Sequence, residues 1–294
     1  MADKTLTTLT QKECCQLYKA LLKNSNAKWD DAEILAGGKS YGTATTLTII
    51  SIEELIKGLI VFLDSEGFQF RKVKGMHKLF KDHRLRYWIS YVIFAIGVLG
   101  DDLFLFFENI KINTENTLGT IQKMNTNKHY ANRVLRIYIY KKVKTLREEL
   151  ILFSMIDELR QDGLYCDYSD NLKNPLNVSE NEYSKIRMRL SKVKMLIESL
   201  ILSCENQDGE SYLSAAIKEV NPKPFYQLLE SALKNINDDK NSFGTFRNKL
   251  DNGLFEMLNN PLFFYNAHEL NDAFKEIPLD IFPHARELNN SLSK

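Results

Sequence analysis

An all-α fold is predicted by three observations. Prolines and glycines are scarce, six and thirteen in 294 residues, so long segments run without a breaker. Those segments are rich in Leu, Ile, Lys and Glu, which favour helices joined by short loops. In the stretch 46–63, TLTIISIEELIKGLIVFL, the residues Ile49, Ile52, Ile56, Leu59, Ile60 and Leu63 fall on one broad face at 100° per residue. Further apolar residues lie outside that face, so this helix is apolar almost all round and is expected to be buried. With 44% hydrophobic and 26% charged residues, the chain has an ordinary globular balance and enough apolar mass for a sizeable core.

The elements follow in order. A first helix is predicted over about 11–36, stopped by Gly37 and Gly38. Polar residues at 40–43 start the second helix, which carries the oily stretch and stops near Gly67. The segment 68–82, FQFRKVKGMHKLFKD, is basic and broken by Gly75, which predicts a loop or short turns. A third helix starts near Asp82 and covers WISYVIFAIGVLG. That run is cut by Asp101 and Asp102, and a membrane span needs roughly twenty uninterrupted apolar residues. It therefore reads as a buried helix, with no membrane partner.

Residues 111–127 are Asn- and Thr-rich and read as a connection. A long helix over about 130–160 is closed by Gly163, and a turn-rich GLYCDYSDNLKNP leads to a helix over about 179–204. ENQDGES then marks a boundary, dividing the chain into 1–205 and a C-terminal extension, 206–294, of shorter helices punctuated by prolines. Within GLYCDY, Tyr165 and Asp167 point to one side of an extended segment, where a structural role packing across the second helix is expected.

Cys14, Cys15, Cys166 and Cys204 form neither a CxxC pair nor a disulfide framework. A reducing, cytoplasmic location follows, and the N-terminus has no apolar signal core. There is no HExxH or Glu-x-x-His pair, no EF-hand spacing, no phosphate-binding glycine loop and no Gly-x-Ser-x-Gly elbow. No metal and no cofactor is expected.

Two features point to chemistry. Net charge is +1, yet residues 71–147 hold sixteen Lys or Arg against five Asp or Glu. That local excess suits a phosphate-bearing partner, or a solvated face of long helices. Lys72, Lys74, Lys78 and Lys81 crowd the segment before His83, while Arg133, Arg136 and Lys144 repeat along the long helix with Tyr140 between them. Basic residues interleaved with aromatic rings are candidates for binding RNA. The second feature is the trio Glu53, Glu54 and Lys57 inside the oily helix. An unpaired charge buried there would cost several kcal/mol, about 3–5, so partners are required. His83 and Arg86, which share a helix face with Tyr87 and Ser90, are the expected ones. A buried ion-pair network that merely fixes helix packing is the competing reading.

The ordered set EELIK (Glu53, Glu54, Lys57), FKDHRLR (Phe80, His83, Arg86) and LRQDGLYCDY with Pro175 resembles the AbiV-type abortive infection proteins of bacteria, over roughly residues 12–205. The resemblance implies a HEPN-like helical bundle, here with an additional C-terminal helical region, and a role in phage defence. Infection would trigger the protein through a phage-encoded activator, and RNA metabolism or translation would halt. It also implies a homodimer. Metal-independent RNA cleavage needs a base for the ribose 2′-hydroxyl, an acid for the leaving oxygen and a cation for the phosphorane charge. His83 is then expected as general acid or base, Arg86 as phosphate clamp, and Glu54 with Lys57 as buried support. The usual HEPN signature, Arg followed after four to six residues by His, is met instead by Arg71 and His77, an alternative catalytic pair. The competing class is a non-catalytic helical protein that senses a phage protein, or binds RNA or the ribosome.

Overall fold

The computed structural model describes the backbone of residues 8–112, 128–168, 172–205 and 223–259. Side chains are described for 8–98, 142–166, 174–204 and 226–252, save 228 and 237. The fold is all-α. Among the described residues the helices are α1 (Gln11–Gly37), α2 (Tyr41–Ser65), α3 (His83–Ile112), α4 (Lys128–Asp162), α5 (Glu180–Glu205), α6 (Lys223–Asp238) and α7 (Ser242–Asn259). The only extended pairing among them is a two-residue antiparallel bridge, Asp167–Tyr168 with Leu172–Lys173. Most of the predicted segment 111–127 lies outside the described residues.

Local chemistry explains the helix ends. Thr10 caps α1, its hydroxyl accepting from the Glu13 amide while the Glu13 carboxylate accepts from the Thr10 amide at 2.8 Å. Ser179 and Glu182 repeat the arrangement at the start of α5, and the hydrogen bonds that the Ser179 amide and hydroxyl donate to the Glu182 carboxylate hold it below its usual range. Asp82 caps α3, accepting from the Arg84 amide at 2.9 Å. Between α2 and α3 the basic segment forms two short 3-10 turns, Phe70–Lys72 and Met76–Phe80, with Gly75 in the left-handed region between them (φ 92°).

By proximity the chain divides into two compact units, Met1–Phe94 with Leu152–Ser242, and Ala95–Ile151 with Phe243–Lys294. This grouping cuts α3 and α4 in mid-helix. We propose that independent folding divides the chain at 205/206.

In the first unit α2 is the axis: 18 of its 25 residues are buried. Helix α1 lies along it through Cys14, Tyr18, Ser25 and Ala32, spaced by four and seven residues as one helical face requires. Tyr18 meets Phe62 edge-on at 5.2 Å, and the Ser25 and Ser51 hydroxyls each donate to the other's carbonyl at 2.8 Å. Near its start α2 meets α5 through Ala44 and Tyr183. Two glycines set the approach of the motif residues. A Cβ on Gly163 would lie 2.3 Å from the Gly42 carbonyl and the Thr46 hydroxyl, and one on Gly42 would lie 2.4 Å from the Pro175 carbonyl. Thr46 completes the junction by donating to the Arg160 carbonyl at 2.8 Å. In the second unit, Lys142 donates to the Val98 carbonyl at 3.0 Å, and Arg147 pairs with Asp251, which raises the guanidinium's pKa and lowers the carboxyl's.

Among the described residues no helix is long and apolar enough to cross a membrane. On α3, Tyr87, Trp88, Tyr91 and Phe94 are buried, whereas Val92 and Ile96 are exposed.

Candidate functional site

The oily helix α2 carries its acids to two destinations. Glu53 is buried, and its carboxylate is met on both oxygens. The Tyr87 hydroxyl donates to Oε1 at 2.7 Å, Arg86 Nη2 donates to Oε2 at 2.9 Å, and His83 Nδ1 lies 2.8 Å from both oxygens. Arg160 Nε approaches Oε1 at 3.8 Å. Four groups from α3 and the end of α4 thus converge on one α2 carboxylate, which compensates its desolvation. Burial first, and then the Glu53 carboxylate beside it, push the Tyr87 phenol far above its usual range, so Tyr87 stays protonated and donates.

Glu54, one residue on, faces elsewhere. It accepts from Lys57 Nζ at 2.5 Å and from Asn24 of α1 at 3.1 Å, and the side chains of Lys57 and Glu54 are 20% and 15% exposed. The support expected of Glu54 and Lys57 therefore falls, in this geometry, to Glu53, because a 100° step along the helix separates neighbouring residues.

Arg86 is 2% exposed. Its Nη1 donates to the Leu79 carbonyl at 2.6 Å and its Nη2 is spent on Glu53. The guanidinium binds the second 3-10 turn to α2, and its Nε is buried without a hydrogen-bond partner. It is not placed to clamp a phosphate from outside. His83 differs: its side chain is 39% exposed and stacks near Tyr87. Nδ1 facing two carboxylate oxygens is favourable only if it carries the proton, since a bare lone pair would oppose theirs. Arg86 Nη2, 2.6 Å from Nδ1, could donate to a bare nitrogen, but that one donor is set against two carboxylate oxygens, and the proton is assigned to Nδ1 on their account. This tautomer leaves the lone pair on Nε2, away from Glu53.

An open cleft of about 550 Å³ lies beside His83. It is lined by two imidazoles, His77 and His83, three cations, Lys78, Lys81 and Arg84, and two carboxylates, Asp82 and Asp157. Asp157 accepts from Arg160 at 3.0 Å, from the Tyr87 hydroxyl at 3.3 Å and from Gln161 at 3.2 Å, linking the cleft wall to the Glu53 cluster. His77 is exposed.

Arg71 is not among the cleft's lining residues; it is 8% exposed and pairs with Asp64, its Nη2 reaching the Leu9 carbonyl at 3.2 Å. The structure thus separates the roles of Arg71 and His77. Lys72 and Lys74 are exposed on the same basic segment outside the cleft lining, and Lys144 is exposed on α4 in the second unit. Arg133 and Arg136 lie on α4, and their side chains lie outside the described residues. Tyr165 is 64% exposed rather than packed across α2, and the Asp167 side chain lies outside the described residues. Sequence reasoning missed Arg160 and Asp157. Their signal was present: Arg160 stands inside LRQDG, one turn before the glycine that brings α4 against α2.

The model of the HEPN family described as AbiV matches residues 13–195, more than half of the chain, and the chain belongs to that family. No curated protein and no solved structure matches it.

Proposed function

We propose that this AbiV-family chain is a cytoplasmic antiphage effector that cleaves RNA without a metal and so halts translation once a phage-encoded component activates it, acting as a homodimer. The observation that carries the reading is the orientation of His83. Its Nδ1 lies 2.8 Å from both oxygens of a buried carboxylate, and the residue lines a basic, open cleft. In this scheme His83 Nε2 removes the ribose 2′-hydroxyl proton. His77, the second imidazole of the cleft, protonates the leaving 5′-oxygen. Lys78 and Lys81 meet the phosphate. Glu53 and Arg86 act through His83, as positioning residues. Lys72 and Lys74 extend the basic track on which an RNA backbone would lie, with Arg133, Arg136 and Lys144 as further candidates along α4.

A second reading is favoured by the burial of Arg86: the network holds the fold, and the basic face only binds RNA, the ribosome or a phage protein. One experiment separates the two. The purified protein and its His83→Ala and His77→Ala variants are incubated with total RNA, with and without extract of phage-infected cells. The proposal expects cleavage to fall by about 10²–10⁴-fold in His83→Ala while the variant stays folded. Toxicity that persists in folded His83→Ala, with no RNA cleaved, supports the binder.

A further inference from the structure

Residues 226–242 lie beyond the family-matched span 13–195, yet they grip the segment that builds the cleft from both sides of it. Ahead of the cleft residues, the Tyr226 hydroxyl donates to the Phe68 carbonyl and its ring meets Phe70 edge-on at 5.9 Å. Glu230 accepts from the Lys74 amide at 3.2 Å. Behind them, the buried Trp88 indole donates to the Ser242 hydroxyl at 2.8 Å. Between these points stands Arg84, which lines the cleft. Its Nη1 donates to the Lys240 carbonyl at 3.1 Å and reaches the Asp239 carbonyl at 3.4 Å, while its Nη2 faces Asp82 at 3.4 Å. Those two carbonyls are the first beyond the end of α6, where the helix dipole concentrates negative charge; that of Asp239 also accepts from the Ser242 amide at 3.2 Å. Arg84 therefore serves as the cation for that helix end.

A guanidinium committed to one set of oxygens is withdrawn from another. We propose that residues 226–242 form a clasp that competes with an RNA phosphate for Arg84, so that the C-terminal extension restrains the cleft until it is displaced. The inference rests on reading the cleft as an RNA site. Coupling of this kind is reciprocal: what loosens the clasp tightens RNA binding, and RNA in the cleft loosens the clasp.

The test uses the full chain and the paired substitution Tyr226→Phe with Ser242→Ala, which removes two clasp contacts and leaves every cleft-lining residue in place. Hydrogen exchange over 226–242 reports the clasp, and fluorescence anisotropy with a short labelled single-stranded RNA reports binding. Faster exchange is expected, together with affinity raised by about three- to tenfold. Arg84→Ala in the same background abolishes that gain, and adding RNA to the wild type speeds exchange over 226–242. Faster exchange with unchanged RNA affinity overturns the clasp and leaves the cleft reading standing, as does exchange that the paired substitution does not alter. Absence of RNA binding by both proteins overturns the cleft reading itself.

Discussion

Two carboxylates buried along α2, Glu53 and Asp64, each face an arginine from the chain that follows, yet the two clusters end differently. Asp64 and Arg71 are closed off, their side chains 1% and 8% exposed. The rest of that guanidinium turns inward to the Leu9 carbonyl. Cys14 beside them is buried, and burial pushes its thiol up, which suits a packing role. One oxygen of Asp64, Oδ1, has no hydrogen-bond partner. Glu53 and Arg86 are as deeply buried, at 5% and 3%, but every oxygen of Glu53 is served, and the cluster opens through His83 onto a cleft. A buried ion pair by itself stabilises little, because desolvation offsets the attraction. What separates the clusters is whether the pair fixes a group that solvent and ligand can reach.

The largest effects test that contrast directly. Glu53→Ala and Asp64→Ala each strand a buried guanidinium, so each should lower stability by about 3–5 kcal/mol in urea denaturation. The milder Glu53→Gln and Asp64→Asn sharpen it: per folded molecule, only Glu53→Gln should reduce RNA cleavage, by about tenfold or more. Equal loss in both, or in neither, would erase the distinction.

Next comes the α4 junction that brings Arg160 and Asp157 to the Glu53 side. Gly163→Ala drives a Cβ against the backbone of Gly42 and the Thr46 hydroxyl and should cost about 1–3 kcal/mol by thermal unfolding. Gly37→Ala, where a Cβ meets nothing within 4 Å, should be neutral or stabilise by about 0.5 kcal/mol.

A smaller effect reads the Tyr87 hydroxyl. Tyr87→Phe should cost about 1 kcal/mol and change the alkaline limb of stability. The folded protein holds the phenol's pKa above its ordinary value of 10.0. The stabilisation is therefore complete below about pH 10 and is lost as pH rises further. Alkaline unfolding of Tyr87→Phe should show a shallower decline than the wild type. Glu54→Ala should likewise change stability by only about 0.5 kcal/mol and leave cleavage untouched, although it sits next to Glu53.

Much of this was legible in the chain. The starts of α3 and α5, expected near Asp82 and Ser179, fall there, with both side chains offering oxygens to helix amides; α2 also starts where expected, though Ser40 makes no side-chain cap. The all-round apolar character of 46–63 announces a central helix, and its charges announce partners on the FKDHRLR face. Which glutamate finds them was not legible, because Glu53 and Glu54 both fit an arc that broad and only the packing of α1 against α2 chooses between them. Arg86 read as a phosphate ligand because residue type reveals charge and not burial. The clasp was invisible for another reason. Trp88 and Ser242 are 154 residues apart in sequence, and no periodicity encodes so distant a contact.

The proposed chemistry turns on the proton of His83. Histidine-selective ¹⁵N NMR, recorded where the ring is neutral, reports which nitrogen carries it, with His83→Ala giving the assignment. The proton should sit on Nδ1, held by Glu53, with Nε2 bare, and Glu53→Gln should disturb that preference. A proton on Nε2, with Nδ1 instead accepting from Arg86, would leave no base facing the cleft and would contradict the proposed chemistry.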